Sequence, residues 1–291
     1  MVVHLITMIG HSVTTLRPML AHYAAMGISS FWIFVHVEEG QPNVRAEVEE
    51  LTALYSGVDL RVIKGEWLPA QEKAFAAMQT RPEDWFILAD QDEFQLYPTD
   101  LLEILQECDR NGIDHIKGAM IDRITEDGSL APFDPNQSIW EQYPIGVFLT
   151  FTVGGGDCRK VAAAKGTVRM TNGGHHTALG GSPCPASQLL VQVHHFKWID
   201  GLISYLESRR SPTSPNGQFV LNEAHRFLVF YTNNGDRIAL EEPGLLAQRC
   251  NPHYPKWSVI TGIVTVMELF RRVSDSVIAA DEEVNELVDA K

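Results

Sequence analysis

In the segment Asp90-Gln91-Asp92-Glu93-Phe94, residue types and spacing point most directly to chemistry. On extended backbone, residues two apart share a face, so Asp90 and Asp92 can point the same way. Paired carboxylate oxygens suit hard cations such as Mg2+ or Mn2+, which bridge to phosphate oxygens and act as Lewis acids toward a departing phosphate. A bare D-x-D is also found as an acidic turn ahead of a helix. Context favours the metal reading: the motif follows the apolar run Trp85-Phe86-Ile87-Leu88 across Ala89.

The elements around it supply that context. Val2 to Met8, Ser30 to Val37, Val58 to Ile63 and Trp85 to Ala89 read as buried strands, and His115 to Ile124 as a further one. Between them Thr15–Met26, Val44–Tyr55, Pro69–Met78 and Thr99–Cys108 carry helical spacing. Gly27 sits at a C-cap position, Pro18 in a first turn, and Thr99 or Asp100 at an N-cap. Alternating strands and helices imply βαβ units, a mostly parallel sheet and helices on both faces. Ligands then bind beyond the carboxyl ends of the strands. That selects the loops Ile9 to Val13, His36 to Gly40, Lys64 to Gln71 and Asp90 to Phe94, with Ile9, His11, Glu38, Gln71 and Lys73 as candidate nucleotide contacts. Trp67 is expected to pack against the sheet edge. After about residue 125 the alternation gives way to Gly, Pro and Asn, with helices returning near Ile199–Arg209 and Val259–Leu287. We expect one domain with two functional halves: 1–124 binding the nucleotide, 125–291 providing the acceptor side and C-terminal helices.

Composition narrows the function. The chain has 291 residues, 45% hydrophobic, and a formal net charge of -14, which argues against binding nucleic acid. An anionic ligand would need positive charge supplied locally, and a divalent cation does this. No apolar run is long enough to span a bilayer, and the N-terminus lacks signal-peptide features, so the expected location is the cytoplasm. Cys108, Cys158, Cys184 and Cys250 are too widely spaced for a zinc motif and read as free thiols.

With these residues in view, the segment Asp84 to Phe94 resembles the D-x-D-E-F signature of family-2-like and family-92-like glycosyltransferases. Leu20 to Gly27, Gly173-Gly174-His175-His176 and Val193-His194-His195-Phe196-Lys197 resemble further motifs of that group. The resemblance implies a GT-A (Rossmann-like) fold with an irregular acceptor-side second half. It also implies a nucleotide-sugar donor, a divalent cation (Mn2+ or Mg2+), and hexosyltransferase-like transfer to a carbohydrate or small-molecule acceptor. The turn Ile9 to Thr14 departs from the Asn-Glu-containing turn usual there.

A metal site of this type often gains a histidine from the C-terminal half, and His195 is the candidate beside Asp90 and Asp92. Adjacent strand residues face opposite ways, so one member of each His pair should face the cleft. Lys197 is the candidate to neutralise the diphosphate, and His176 could contact the acceptor. Inverting transfer needs a proton acceptor; the candidates are Asp157, Asp122 and Glu141, which spacing does not rank. Gly154-Gly155-Gly156 reads as a turn, and Gly173 to Gln188 as a long loop expected beside the sugar end of the cleft. The alternatives are a sugar nucleotidyltransferase, whose Gly-rich basic loop after the first strand is missing here, and a non-catalytic nucleotide-sugar binder. A zinc hydrolase is disfavoured because no H-E-x-x-H spacing occurs.

Overall fold

The protein is described here by a computed structural model covering residues 1–38, 43–170, 178–209 and 217–269. In chain order the elements are β1 (Val3–Ile9), α1 (Leu16–Ala25), β2 (Ser30–Val37), α2 (Arg45–Thr52), β3 (Val58–Lys64), α3 (Trp67–Ala76), β4 (Trp85–Leu88), β5 (Glu93–Leu96), α4 (Leu101–Arg110), β6 (His115–Ile124), α5 (Ile139–Gln142), β7 (Ile145–Val147), α6 (Leu149–Thr152), β8 (Arg159–Lys165), β9 (Arg169–Met170), β10 (Ala178–Leu179), β11 (Val191–His195), α7 (Leu202–Arg209), α8 (Gly217–Asn233) and β12 (Gln248–Arg249). Two compact units are distinguished, Met1–Pro255 and Lys256–Lys291; in the second, residues 257–269 are helical. Among the described residues no helix is long and apolar enough to cross a membrane.

The main sheet runs β12-β7-β6-β8-β4-β1-β2-β3. β3, β2, β1 and β4 are mutually parallel, as the βαβ reading requires. The second half adds to the sheet through antiparallel β8, which lies between β4 and β6. β11 then pairs parallel with β6 and antiparallel with β5. The mixed α/β architecture and mostly parallel sheet read from the sequence are therefore present, with the antiparallel pairs brought in by strands after β4, the seven-residue β8 and ten-residue β6 among them.

Helices cover both faces because the strands are apolar on both. Val3, Leu5 and Ile9 of β1 and Trp85 and Ile87 of β4 join one core with Leu16, Met19, Leu20 and Tyr23 of α1 and Leu101 and Leu105 of α4. Ile6, Met8, Phe86 and Leu88 point the other way, onto Ala70, Ala74 and Phe75 of α3. A third cluster, over the carboxyl end of β6, joins Ile124 and Val147 to Trp198, Leu206, Ala224 and Phe227. Local signals act as expected. Gly27 has φ 88°, a left-handed value suited to glycine, and the Asp100 carboxylate accepts from the Leu102 and Glu103 amides. Helix α8, the longest described, is not among the helices read from the sequence. All four cysteines are free thiols and buried.

Candidate functional site

The carboxyl ends of β4, β6 and β11 converge, and the motif residues sit there. The turn after β4 is closed by the Asp90 amide, which donates to Glu93 Oε2 at 2.9 Å, and by the Glu93 amide, which donates to Asp90 O at 3.0 Å. Glu93 itself is buried in an ion pair with the equally buried Lys160 of β8. Gln91 Nε2 donates to Ser12 O at 2.7 Å, fastening the turn to the loop after β1, while Gln91 Oε1 is buried without a hydrogen-bond partner. The Phe196 amide donates to Asp92 O at 2.7 Å and binds the motif to the end of β11.

His195, the last residue of β11, faces Asp92: Nε2 lies 3.6 Å from Asp92 Oδ2. Its other nitrogen, Nδ1, is 2.9 Å from Asp122 Oδ1. Asp122 is saturated. Oδ1 also accepts from Thr150 Oγ1 at 2.8 Å and Trp198 Nε1 at 2.7 Å, and Oδ2 accepts from the Thr150 amide at 2.6 Å. Its side chain is 1% exposed, against 27% for Asp92. Asp122, read from the sequence as a candidate base, is thus buried and fully engaged, with one of its hydrogen bonds made to the His195 ring.

The electrostatics follow the geometry. Burial raises the Asp92 carboxyl, but the His195 charge and hydrogen bond, with Lys197 nearby, more than offset it and hold Asp92 below the usual range. Asp122 is likewise held low against burial, chiefly by its hydrogen bond to His195. Burial opposes charge on His195, yet the two carboxylates flanking it push it up to about 10.

His194 faces the opposite way. It is fully buried; Nδ1 lies 3.3 Å from Arg123 Nη1, and Nε2 lies 3.0 Å from Gln192 Oε1. Burial, reinforced by the Arg123 charge, keeps it neutral, well below its ordinary value. Arg123 donates to Tyr143 O and Pro252 O and lies over the rings of Trp140 and Phe196. One face of β11 thus presents a polar site and the other a packed polar-aromatic core.

Lys197 continues the site. Its Nζ is 3.2 Å from Glu223 Oε1 of α8 and 5.3 Å from the centre of the Trp198 ring. Glu223 was missed by the sequence reading because α8 was missed. The remaining candidates lie elsewhere or are otherwise engaged. Asp157 is held by Arg159, with contacts of 2.6 to 3.1 Å. Glu141 is exposed on α5. Ile9 is fully buried, so only its backbone is available. His11 stacks on Tyr205, with ring centres 4.6 Å apart. Glu38 is half-buried at the end of β2. Gln71 is on the buried side of α3, while Lys73 lines a groove of about 690 Å³ with Phe75, Arg169, Met170 and Leu179. Trp67 packs on Gly10, where an added Cβ would meet the ring at 2.9 Å, and against the His36 ring. Gly155 has φ 70° and lies under Arg226, whose guanidinium leaves no room for a Cβ; the glycine run is a tight turn beneath α8.

His175, His176 and the first part of the expected loop lie outside the described residues. The later part is not at the cleft. Ser182 exchanges hydrogen bonds with Asp114, and the Cys184 amide donates to His115 O, which ties residues 182–184 to the amino end of β6. His115 and Asp122 are seven residues apart on one strand, roughly 23 Å.

Asp92 and His195 are the side chains at this turn that could hold a hard cation, and a carboxylate behind an imidazole, as Asp122 stands here, is a usual support for a metal-bound histidine. Among the described residues no three His, Cys, Asp or Glu side chains cluster as a ready-made cage. An ion here would take its remaining ligands from water and phosphate oxygens, the habit of Mg2+ and Mn2+.

No family model matches the chain, and no curated protein does. Among solved structures, S. aureus TarS residues 1–349 align with 84% of this chain and 76% of their own at 9% identity and a TM-score of 0.35. The same TarS fragment in complex with UDP aligns over 57% and 47%, at 10% and 0.30. A Bacillus anthracis structure described as a glucose-1-phosphate thymidylyltransferase in complex with sucrose aligns over 47% of this chain, at 12% identity and a TM-score of 0.28. There the chain spans 62% of that protein's length, less than two thirds.

Proposed function

We propose that this protein is a metal-dependent GT-A-type glycosyltransferase that moves a sugar from a nucleotide-sugar to an acceptor hydroxyl. The supporting observation is the Asp92–His195–Asp122 alignment at the carboxyl ends of β4, β11 and β6. In this reading residues 1–124 hold the nucleotide and residues from 125 onward form the acceptor side. Asp92 and His195 Nε2 would hold Mn2+ or Mg2+, with Asp90 in the same turn. A bound ion would neutralise charge on the leaving diphosphate. The protein's own groups do the rest. Asp122 keeps the His195 Nδ1 proton in place, so that Nε2 faces Asp92. Lys197 adds a positive charge beside Asp92. Gln91 Oε1, buried and unpartnered beside the loop after β1, offers an acceptor to a hydroxyl or N–H of the nucleotide.

A thermal-shift screen of nucleoside diphosphates and nucleotide-sugars, with and without Mn2+, tests this. A ligand at about 100 times its Kd adds about 2.7 kcal/mol, several degrees in melting temperature. If no nucleotide produces a Mn2+-dependent shift, the reading fails. Binding without donor turnover would identify a silent binder, and pyrophosphate release from a nucleoside triphosphate a nucleotidyltransferase.

The two histidines separate function from packing. His195→Ala is expected to weaken Mn2+-dependent diphosphate binding about 10- to 100-fold. His194→Ala should leave binding nearly intact and cost about 1–3 kcal/mol of stability, because it leaves a buried arginine N–H without its acceptor. Titration calorimetry and denaturant unfolding on both variants decide it; equal binding losses would contradict the assignment of faces.

A further inference from the structure

The ion pair between Lys197 and Glu223 joins the chain just beyond β11 to α8 at 3.2 Å. Lys197 stands two residues beyond His195, and Glu223 comes from α8, in the third hydrophobic cluster. Their side chains are 17% and 13% exposed: a small anion can reach them, and solvent screens them only in part. Lys197 is tied to Asp92 and His195 through its two chain neighbours: the Phe196 amide donates to Asp92 O at 2.7 Å, and Trp198 Nε1 donates to Asp122 at 2.7 Å. Lys160, the other lysine near the motif, is fully buried and committed to Glu93. Lys197 is thus the ammonium that a diphosphate at Asp92 and His195 would meet, and it is already engaged by a carboxylate.

An unpaired cation held out of water is costly, so a partly buried ammonium keeps an anionic partner at all times. Exchanging a carboxylate for a phosphate oxygen preserves the pairing. From this, and resting on the phosphate-binding reading above, we infer that Glu223 is an internal stand-in for the donor's diphosphate: it occupies Lys197 until a phosphate oxygen takes its place. No bond is made or broken in the exchange. It sets diphosphate affinity below what Lys197 alone would give, and it couples arrival of the anion to release of α8 from the end of β11.

The test uses inorganic pyrophosphate with Mn2+, titrated calorimetrically into the full chain. Glu223→Gln removes the competing charge and should bind manganese pyrophosphate roughly three- to tenfold more tightly than the unaltered protein. Lys197→Met should bind it more weakly, and in the Lys197→Met background Glu223→Gln should bring no gain. Glu223→Asp, which keeps the charge on a shorter stem, should fall between the unaltered protein and Glu223→Gln, and it serves if the glutamine variant folds poorly. Unchanged or weaker binding in Glu223→Gln and Glu223→Asp, with Lys197→Met still impaired, overturns the stand-in role and leaves the pair a clamp on α8. If the unaltered protein and every variant fail to bind manganese pyrophosphate, the phosphate site itself is wrong and both readings fall.

Discussion

Asp92→Asn is expected to lower Mn2+-dependent binding of a nucleoside diphosphate by about 100-fold or more, with the fold intact. Asparagine keeps the shape and one oxygen but removes the negative charge that faces His195 at 3.6 Å. A neutral amide is a poor ligand for a hard cation beside phosphate oxygens. The stability change should stay within about 1 kcal/mol, as for most partly exposed positions. It reflects opposite effects: loss of attraction to His195, and relief from desolvating a carboxylate. Calorimetric titration with Mn2+ present and absent, beside a thermal melt, reads both quantities. Unchanged cation-dependent binding would reduce the D-x-D to an acidic turn.

The largest effect on stability should come from Lys160→Met. Lys160 and Glu93 are both buried and paired at the turn that carries Asp90 and Asp92. Removing the ammonium leaves a carboxylate in the core with the Asp90 amide still bonded to it. Breaking a buried pair from one side costs about 3–5 kcal/mol, a large part of the roughly 5–15 kcal/mol that holds a domain together. Adding Glu93→Gln should recover much of the loss, since a neutral amide can still accept from Asp90. Denaturant unfolding of the single and double variants forms the cycle. A Lys160→Met protein as stable as the original would mean the pair contributes nothing.

Much of the first half could be read in the sequence because its parallel strands are buried on both faces and appear as unbroken apolar runs such as Trp85 to Leu88. Asp90 and Asp92 were visible because they interrupt such a run at its carboxyl end. The opposed faces of His194 and His195 followed from strand alternation alone. What was hidden depends on partners distant in sequence. Lys160 begins the unremarkable stretch Lys160-Val161-Ala162-Ala163-Ala164, and nothing local shows that Glu93 lies opposite. Asp122 looked like a free carboxylate because its ligands come from Thr150, Trp198 and His195. Glu223 was missed with α8, whose polar and aromatic residues give a weak apolar stripe and which follows a Ser/Pro-rich stretch that reads as loop. For residues 182–184, a described part of the expected loop, only the hydrogen bonds to Asp114 and His115 show which end of β6 they border.

The position of β11 bears on how the molecule comes into being. This strand enters between β5 and β6 and sets His195 opposite both Glu93 and Asp122, joining segments about a hundred residues apart in the case of Glu93. Pairings of that span are entropically costly to form and are made late. Until residue 195 has been synthesised, β5 and β6 have bare facing edges, an invitation to wrong pairing. Asp92, meanwhile, lacks the imidazole that Asp122 orients. Insertion of one five-residue strand closes both edges and delivers the histidine in a single event, so a nascent or truncated chain lacking it carries the acidic motif with no histidine facing it.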